Sequence, residues 1–260
     1  MDLKLSGKTA LITGGSRGIG LAVAKALATE GVRLHLAART AKDLEAAKAT
    51  IHQSYGVEVT THAGDGGRSE TMAELARAVP DLDILINNAG AIPVGTLAQL
   101  DEARWREAWE LKLFGYINLT RAVYARMKAR GHGVILNILG AAGERPTASY
   151  IAGSTANAGL MAFTQALGGA STDDNIRVLA VNPGLIATDR MKDMLSARAK
   201  RELGDAGRWR EFIGDRPFGR PGEPEEVADV VAFLVSERAG YVSGTIVTVD
   251  GGGTTRMRIV

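Results

Sequence analysis

The segment Thr13-Gly14-Gly15-Ser16-Arg17-Gly18-Ile19-Gly20 carries the strongest chemical signal in the chain. It follows an apolar run at residues 8–13 and opens an alanine-rich stretch at 18–30. Glycines at these spacings permit a tight turn, bring backbone N–H groups close to a pyrophosphate, and let a helix pack closely on a strand. The loop reads as a dinucleotide-binding turn, with Gly14, Ser16, Arg17, Gly18, Ile19 and Gly20 as contacts. Strand two ends Leu36-Ala37-Ala38-Arg39-Thr40, without the carboxylate that would hold a ribose 2′-hydroxyl. Arg39 stands there instead, and Arg17 lies inside the glycine loop. Two guanidiniums can clamp a 2′-phosphate through charge-assisted bonds, so the pattern favours NADP(H), with NAD(H) as the alternative.

These residues need a scaffold, and the sequence supplies one. Short apolar runs at 8–13, 32–37, 57–62, 83–87, 134–138, 177–182 and 245–249 alternate with helical patterns at 18–30, 41–54, 70–79, 101–130, 148–168 and 223–236. Asp101 stands at a helix-capping position, and Gly131 ends the same long helix. Strands spaced by helices imply right-handed βαβ units. The expected fold is α/β: one Rossmann-type domain over residues 1–260, a doubly wound parallel sheet of about seven strands with helices on both faces. No Pro/Ser-rich linker divides the chain. The charged, helical segment 188–216 interrupts the rhythm after strand six, on the side where such sheets bind ligands, and reads as a lid.

Composition narrows the function. Of 260 residues, 45% are hydrophobic and 23% charged, and 31 basic residues against 29 acidic ones leave a net charge of +2. No basic stripe points to nucleic acid. The absence of cysteine excludes disulfides, zinc fingers and thiol nucleophiles. The start Met1-Asp2-Leu3-Lys4 has no apolar leader, and the longest apolar run, 230–235, is too short to span a bilayer, so a cytoplasmic location without membrane contact is expected. No His/Asp/Glu cluster suggests a metal. Glu144 is a candidate substrate-side acid, with a solvated loop charge as the alternative.

Nearly the whole chain resembles the classical short-chain dehydrogenases/reductases. The loop 13–20 matches the family's TGxxxGxG motif, Asn87-Asn88-Ala89-Gly90 its NNAG motif, and Asn182-Pro183-Gly184 its PG turn, with Ile186 and Thr188 just beyond. Asp65 follows strand three where the family's aspartate meets the adenine ring. Gly219-Arg220-Pro221 and Asp250-Gly251-Gly252 match further landmarks. The resemblance implies cofactor contacts from Asn88, Ala89, Gly90, Tyr150, Pro183, Gly184, Ile186 and Thr188, and a homotetramer or dimer.

The catalytic set departs from the family. Tyr150 matches the tyrosine of Tyr-x-x-x-Lys, but Ser154 stands four residues on. Asn137-Ile138-Leu139-Gly140 replaces the stretch that carries the family serine, and Lys112 stands in place of the helix asparagine. A phenol ionises near pH 10, so work near neutrality needs a nearby cation. Lys112 is the expected one, reaching into space left by Ser154. Asn157, seven residues past Tyr150 on the expected helix, would orient that ammonium or a water. The reading is an oxidoreductase moving a hydride between NADP(H) and a carbonyl or alcohol of small-molecule size. The alternative is a cofactor-binding protein with lost or altered catalysis, a sensor, an oligomer partner or a non-redox use of the fold such as elimination or epimerisation.

Overall fold

Seven apolar runs become seven parallel strands: β1 (Thr9–Thr13), β2 (Arg33–Ala38), β3 (Val59–Ala63), β4 (Ile84–Asn87), β5 (Gly133–Ile138), β6 (Ile176–Pro183) and β7 (Ile246–Val249). Every residue of β1 and β4 is buried, because a parallel sheet covered on both faces needs continuous apolar strands. The computed structural model describes residues 1–214 and 216–256. Asp215, within the expected lid, lies outside them.

The strand order is β3-β2-β1-β4-β5-β6-β7. The chain winds outward from β1 through β2 to β3, then returns to pair β4 with the other side of β1. Connections that diverge on either side of β1 open a crevice at its carboxyl end. Helices α1 (Gly18–Thr29), α2 (Ala41–Tyr55) and α8 (Pro224–Val235) cover one face, where Val23, Leu27, Leu44 and Val231 meet Ile12 and Leu36. Helices α3 (Ser69–Ala78) and α5 (Gly115–Arg130) cover the other, through Leu75, Leu119 and Met127 against Leu11 and Ile135. The helix α6 (Ile151–Ala170) joins them there through Leu160 beside Tyr116 and Ala180.

A buried amide chain ties these layers together. Asn87 Nδ2 donates to Thr120 Oγ1 at 3.0 Å and to Asn137 Oδ1 at 2.9 Å, and Asn137 Nδ2 donates to Thr164 Oγ1 at 3.0 Å. Buried polar groups must be partnered, so this chain fixes the register of β4 on β5 and the seating of α5 and α6.

The expected long helix is interrupted. Asp101 caps α4 (Glu102–Trp109) by accepting the Arg104 amide at 2.9 Å, and Gly131 ends α5 in the left-handed region at φ 72°. Between them Glu110–Phe114 form a π-helical turn. The segment 188–216 contains α7 (Asp189–Leu203), capped by Thr188, whose hydroxyl accepts the Met191 amide at 3.2 Å. A helical turn at Ala206–Phe212 packs back on α7, with the Arg198 guanidinium 4.1 Å over the Phe212 ring.

Candidate active site

The crevice is built by two loops that grip each other. Thr13 Oγ1 accepts the amides of Asn88 at 3.0 Å and Ala89 at 3.1 Å. In return, Asn88 Nδ2 donates to the carbonyls of Thr13 at 3.0 Å and Gly14 at 3.1 Å. Gly14 has φ +65°, and a Cβ there would stand 2.8 Å from Asn88 Nδ2, so only glycine closes this turn.

Next comes the start of α1. No side chain caps it, and its first turn holds no acid, so its leading N–H groups and positive dipole end face the loop unspent. Gly18, at φ +55°, faces the Thr188 methyl across the gap, with a Cβ at 18 reaching 3.4 Å from it. These features fit a pyrophosphate. Arg17 and Arg39 are both exposed, and among the described residues neither has a carboxylate partner. Their charges remain available to a 2′-phosphate.

The other expected contacts border the same end of the sheet. Asp65 follows β3 and turns its Oδ1 to the Gly67 amide at 3.0 Å. Pro183 ends β6, Gly184 packs on the Asp250 turn, and buried Ile186 bridges to Gly222. Ser16 and Ile19 are half-buried in the glycine loop. Among the described residues no group of three or more metal-ligating side chains assembles. Glu144 accepts a short hydrogen bond from the Thr248 hydroxyl.

The catalytic candidates take different partners from those expected. Lys112 sits in the π-helical turn and is buried, at 7% exposure. Its amine donates to the Ile138 carbonyl at 2.7 Å and to Tyr116 Oη at 2.9 Å, and Tyr116 donates to the same carbonyl at 3.0 Å. Its stem lies against Gly90. Burial, with the Arg190 charge adding to it, pulls the amine down to about 7. The same burial pushes the Tyr116 phenol well up.

Ser154 and Asn157 do not sit as the sequence suggested. Ser154 leaves no space for a lysine: it is 3% exposed, and its Oγ accepts the Thr147 amide at 3.2 Å. Tyr150 lies outside α6, at its N-cap with φ −135° and ψ 39°, so seven-residue helical spacing does not relate it to Asn157. Asn157 donates to the Gly153 carbonyl at 2.9 Å and stands beside Gly140, while its buried Oδ1 has no protein partner.

Tyr150 has a cation, and it comes from α7. Arg190 donates to the carbonyls of Gly90 at 2.6 Å and Ile92 at 3.2 Å. Burial raises the Tyr150 phenol, and the Arg190 charge opposes that rise. Sequence reasoning missed Arg190. A signal existed: the first turn of a helix disfavours a cation, and Arg190 is the second residue of α7.

Comparison with known proteins agrees with this geometry. Residues 8–199 match the short chain dehydrogenase family. The 3-oxoacyl-[acyl-carrier-protein] reductase FabG of Aquifex aeolicus is 34% identical over 256 residues, covering 97% of this chain and 99% of the relative. The L-tagatose-forming galactitol 2-dehydrogenase of Cereibacter sphaeroides is also 34% identical over 256 residues, covering 96% of each. Among solved structures, L-sorbose reductase from Gluconobacter frateurii, complexed with NADPH and L-sorbose, superposes with a TM-score of 0.92 at 34% identity, covering 99% of this chain and 100% of that one. The chain belongs to the short-chain dehydrogenase family of oxidoreductases.

Proposed function

We propose that this protein is an NADP(H)-dependent oxidoreductase acting on a small carbonyl or alcohol, with Tyr150 as its proton-transfer group. The observation that carries the reading is the placement of a half-buried phenol at the mouth of a crevice whose glycine loop and two exposed arginines suit a phosphorylated dinucleotide. The bound dinucleotide supplies or accepts the hydride. In reduction, the Tyr150 hydroxyl gives its proton to the carbonyl oxygen as the carbon becomes tetrahedral. In oxidation, the phenolate takes the alcohol proton. Lys112 and Tyr116 share the Ile138 carbonyl and hold the end of β5 against Gly90, which shapes the crevice floor.

The relatives support a carbonyl/alcohol pair, since they are named as reductases and dehydrogenases of 3-oxoacyl and polyol compounds. The NADPH in the L-sorbose reductase complex supports the phosphorylated cofactor. A cytoplasmic location accords with the finding that, among the described residues, no helix is long and apolar enough to cross a membrane. A homotetramer or dimer would cover the apolar groove of Leu97, Trp105, Trp109 and Phe114.

The test is oxidation of NADPH, followed by its absorbance, across a panel of ketones and quinones. Turnover with any of them, abolished in Tyr150→Phe, supports the reading. NADPH binding without turnover across the panel would favour the cofactor-binding alternative with altered or lost catalysis.

A further inference from the structure

Among the described residues, Asn182 is the one buried side chain whose two polar ends, Oδ1 and Nδ2, both lack a protein partner. It is 0% exposed and stands in β6 directly before Pro183 and Gly184. Asn157 of α6 is 3% exposed, and its Oδ1 has no partner either. The other such atoms belong to groups that are otherwise bonded. Asn87 donates twice through its Nδ2, and Arg130 donates to the Pro80 and Leu82 carbonyls. A buried amide without partners costs folding free energy, and native interiors seldom leave both its ends bare.

The two carboxamides face one gap. Side chains alternate along β6: Val181 packs with α1 and α8, while Ala180 packs with Leu160 of α6. Asn182, two residues past Ala180, therefore turns toward α6. Asn157 lies three residues before Leu160, on the same face of α6 and nearer its Tyr150 end. The end of β5 ties the two together. The Leu139 amide donates to the Val181 carbonyl at 2.9 Å, and a Cβ built on Gly140 would stand 3.2 Å from Asn157 Nδ2 and 3.6 Å from its Oδ1.

The atoms to be satisfied are two acceptors and one donor nitrogen. A bond from Asn182 Nδ2 straight to Asn157 Oδ1 would serve two of them and leave Asn182 Oδ1 bare. Thr248, the register partner of Asn182 on β7, gives its hydroxyl proton to Glu144. Water is donor and acceptor at once and completes the set.

We propose that the gap between α6 and the end of β6 is a binding site for internal water. One water accepts from Asn182 Nδ2 and donates to Asn157 Oδ1. A second donates to Asn182 Oδ1, because the two ends of one carboxamide point apart. Larger ligands are shut out, since these amide atoms do not reach solvent. The waters join two parts of the crevice wall. One is the Asn182-Pro183-Gly184 turn. The other is Gly153, whose carbonyl accepts from Asn157 Nδ2 at 2.9 Å and whose Cα seats the Tyr150 ring.

The test begins with the wild-type protein and needs no turnover. A high-resolution crystal structure should show ordered water within hydrogen-bond distance of both Asn182 and Asn157. A dry gap, or a direct bond between the two carboxamides with no water beside them, overturns the proposal. A double-mutant cycle in melting temperature gives the second reading. Asn157→Leu and Asn182→Leu each strip the water of one holder and should each lower the melting temperature by several degrees. The double variant keeps no buried amide to satisfy, so it should lose clearly less than the sum. Losses that add would mark two independent amides and overturn the shared site. Where a variant fails to fold, the wild-type crystal structure alone decides.

Discussion

The ring of Tyr150 lies against the Cα of Gly153, so closely that a Cβ built at position 153 would fall on ring carbons Cε1 and Cζ. The tyrosine stands outside the helix and folds its ring over the first turn, into space that any side chain at 153 would fill. Gly153→Ala should therefore expel the ring from its seat. Alanine is also the better helix former, by roughly 1 kcal/mol, so the fold should hold or gain. The expected outcome is an unchanged or raised melting temperature, retained NADPH binding, and turnover lowered tenfold or more. Full activity in Gly153→Ala would show that the ring's seat is immaterial.

On the proposed function, cofactor choice rests on two charges. Arg17 and Arg39 are exposed at the loop and at the end of β2. A charge-assisted bond is worth about 1.5–3 kcal/mol, so NADPH should bind about tenfold or more tighter than NADH. Arg39→Asp should invert that order. Calorimetric titration with both cofactors measures it, and equal affinities in wild type would remove the assignment.

The Lys112 amine, held down to about 7, is bound to fewer protons in the native state than in the unfolded chain, where it ionises near 10.5. Between those values the unfolded state binds more protons, so this group makes stability rise with pH, by up to about 1.4 kcal/mol per pH unit. Lys112→Met should remove that slope. Tyr116 still donates to the Ile138 carbonyl in the variant, so no buried acceptor is orphaned. Urea midpoints across the alkaline range, wild type against variant, check it; parallel curves would contradict the buried amine.

A second titration has the same sign but lies on the acid side of neutrality. His35 Nδ1 and His62 Nε2 lie 2.9 Å apart across β2 and β3, with rings stacked at 5.2 Å. Burial lowers both from the ordinary 6.5, and each proton placed on His62 repels one on His35. A depressed histidine contributes stability that is fully present above 6.5 and fades as pH falls through the folded-state values. Wild type should lose melting temperature between about pH 7 and 5 more steeply than a His35→Gln/His62→Gln variant. Identical slopes would place both imidazoles in the solvent.

Much of the fold was legible because its signals are local. Continuous apolar runs bounded by glycine, asparagine or aspartate mark buried parallel strands, and all seven appear within a residue or two of their expected places. The Asp101 cap and the Gly131 stop could be read for the same reason. The turn of the glycine loop was legible because its glycines serve backbone geometry. The catalytic end was not. Whether Tyr150 starts α6 or precedes it depends on a single backbone angle, and that displacement alone separates it from Asn157. Arg190 looked like one more charge on a charged helix, since the carbonyls it bonds, Gly90 and Ile92, lie on a loop distant in sequence.

The π-helical turn at Glu110–Phe114 sets the rotational phase of everything before it. Each residue of an α-helix turns the chain by about 100°, so one residue more or less in this turn swings α4 a quarter-turn or more around its axis relative to α5. Trp109, whose indole donates to the Ala152 carbonyl at 3.2 Å, would leave α6, and the Trp105 edge would face elsewhere. Homologous chains that differ here by a single-residue insertion or deletion will therefore differ in how α4 meets α6, even where every aligned side chain is the same.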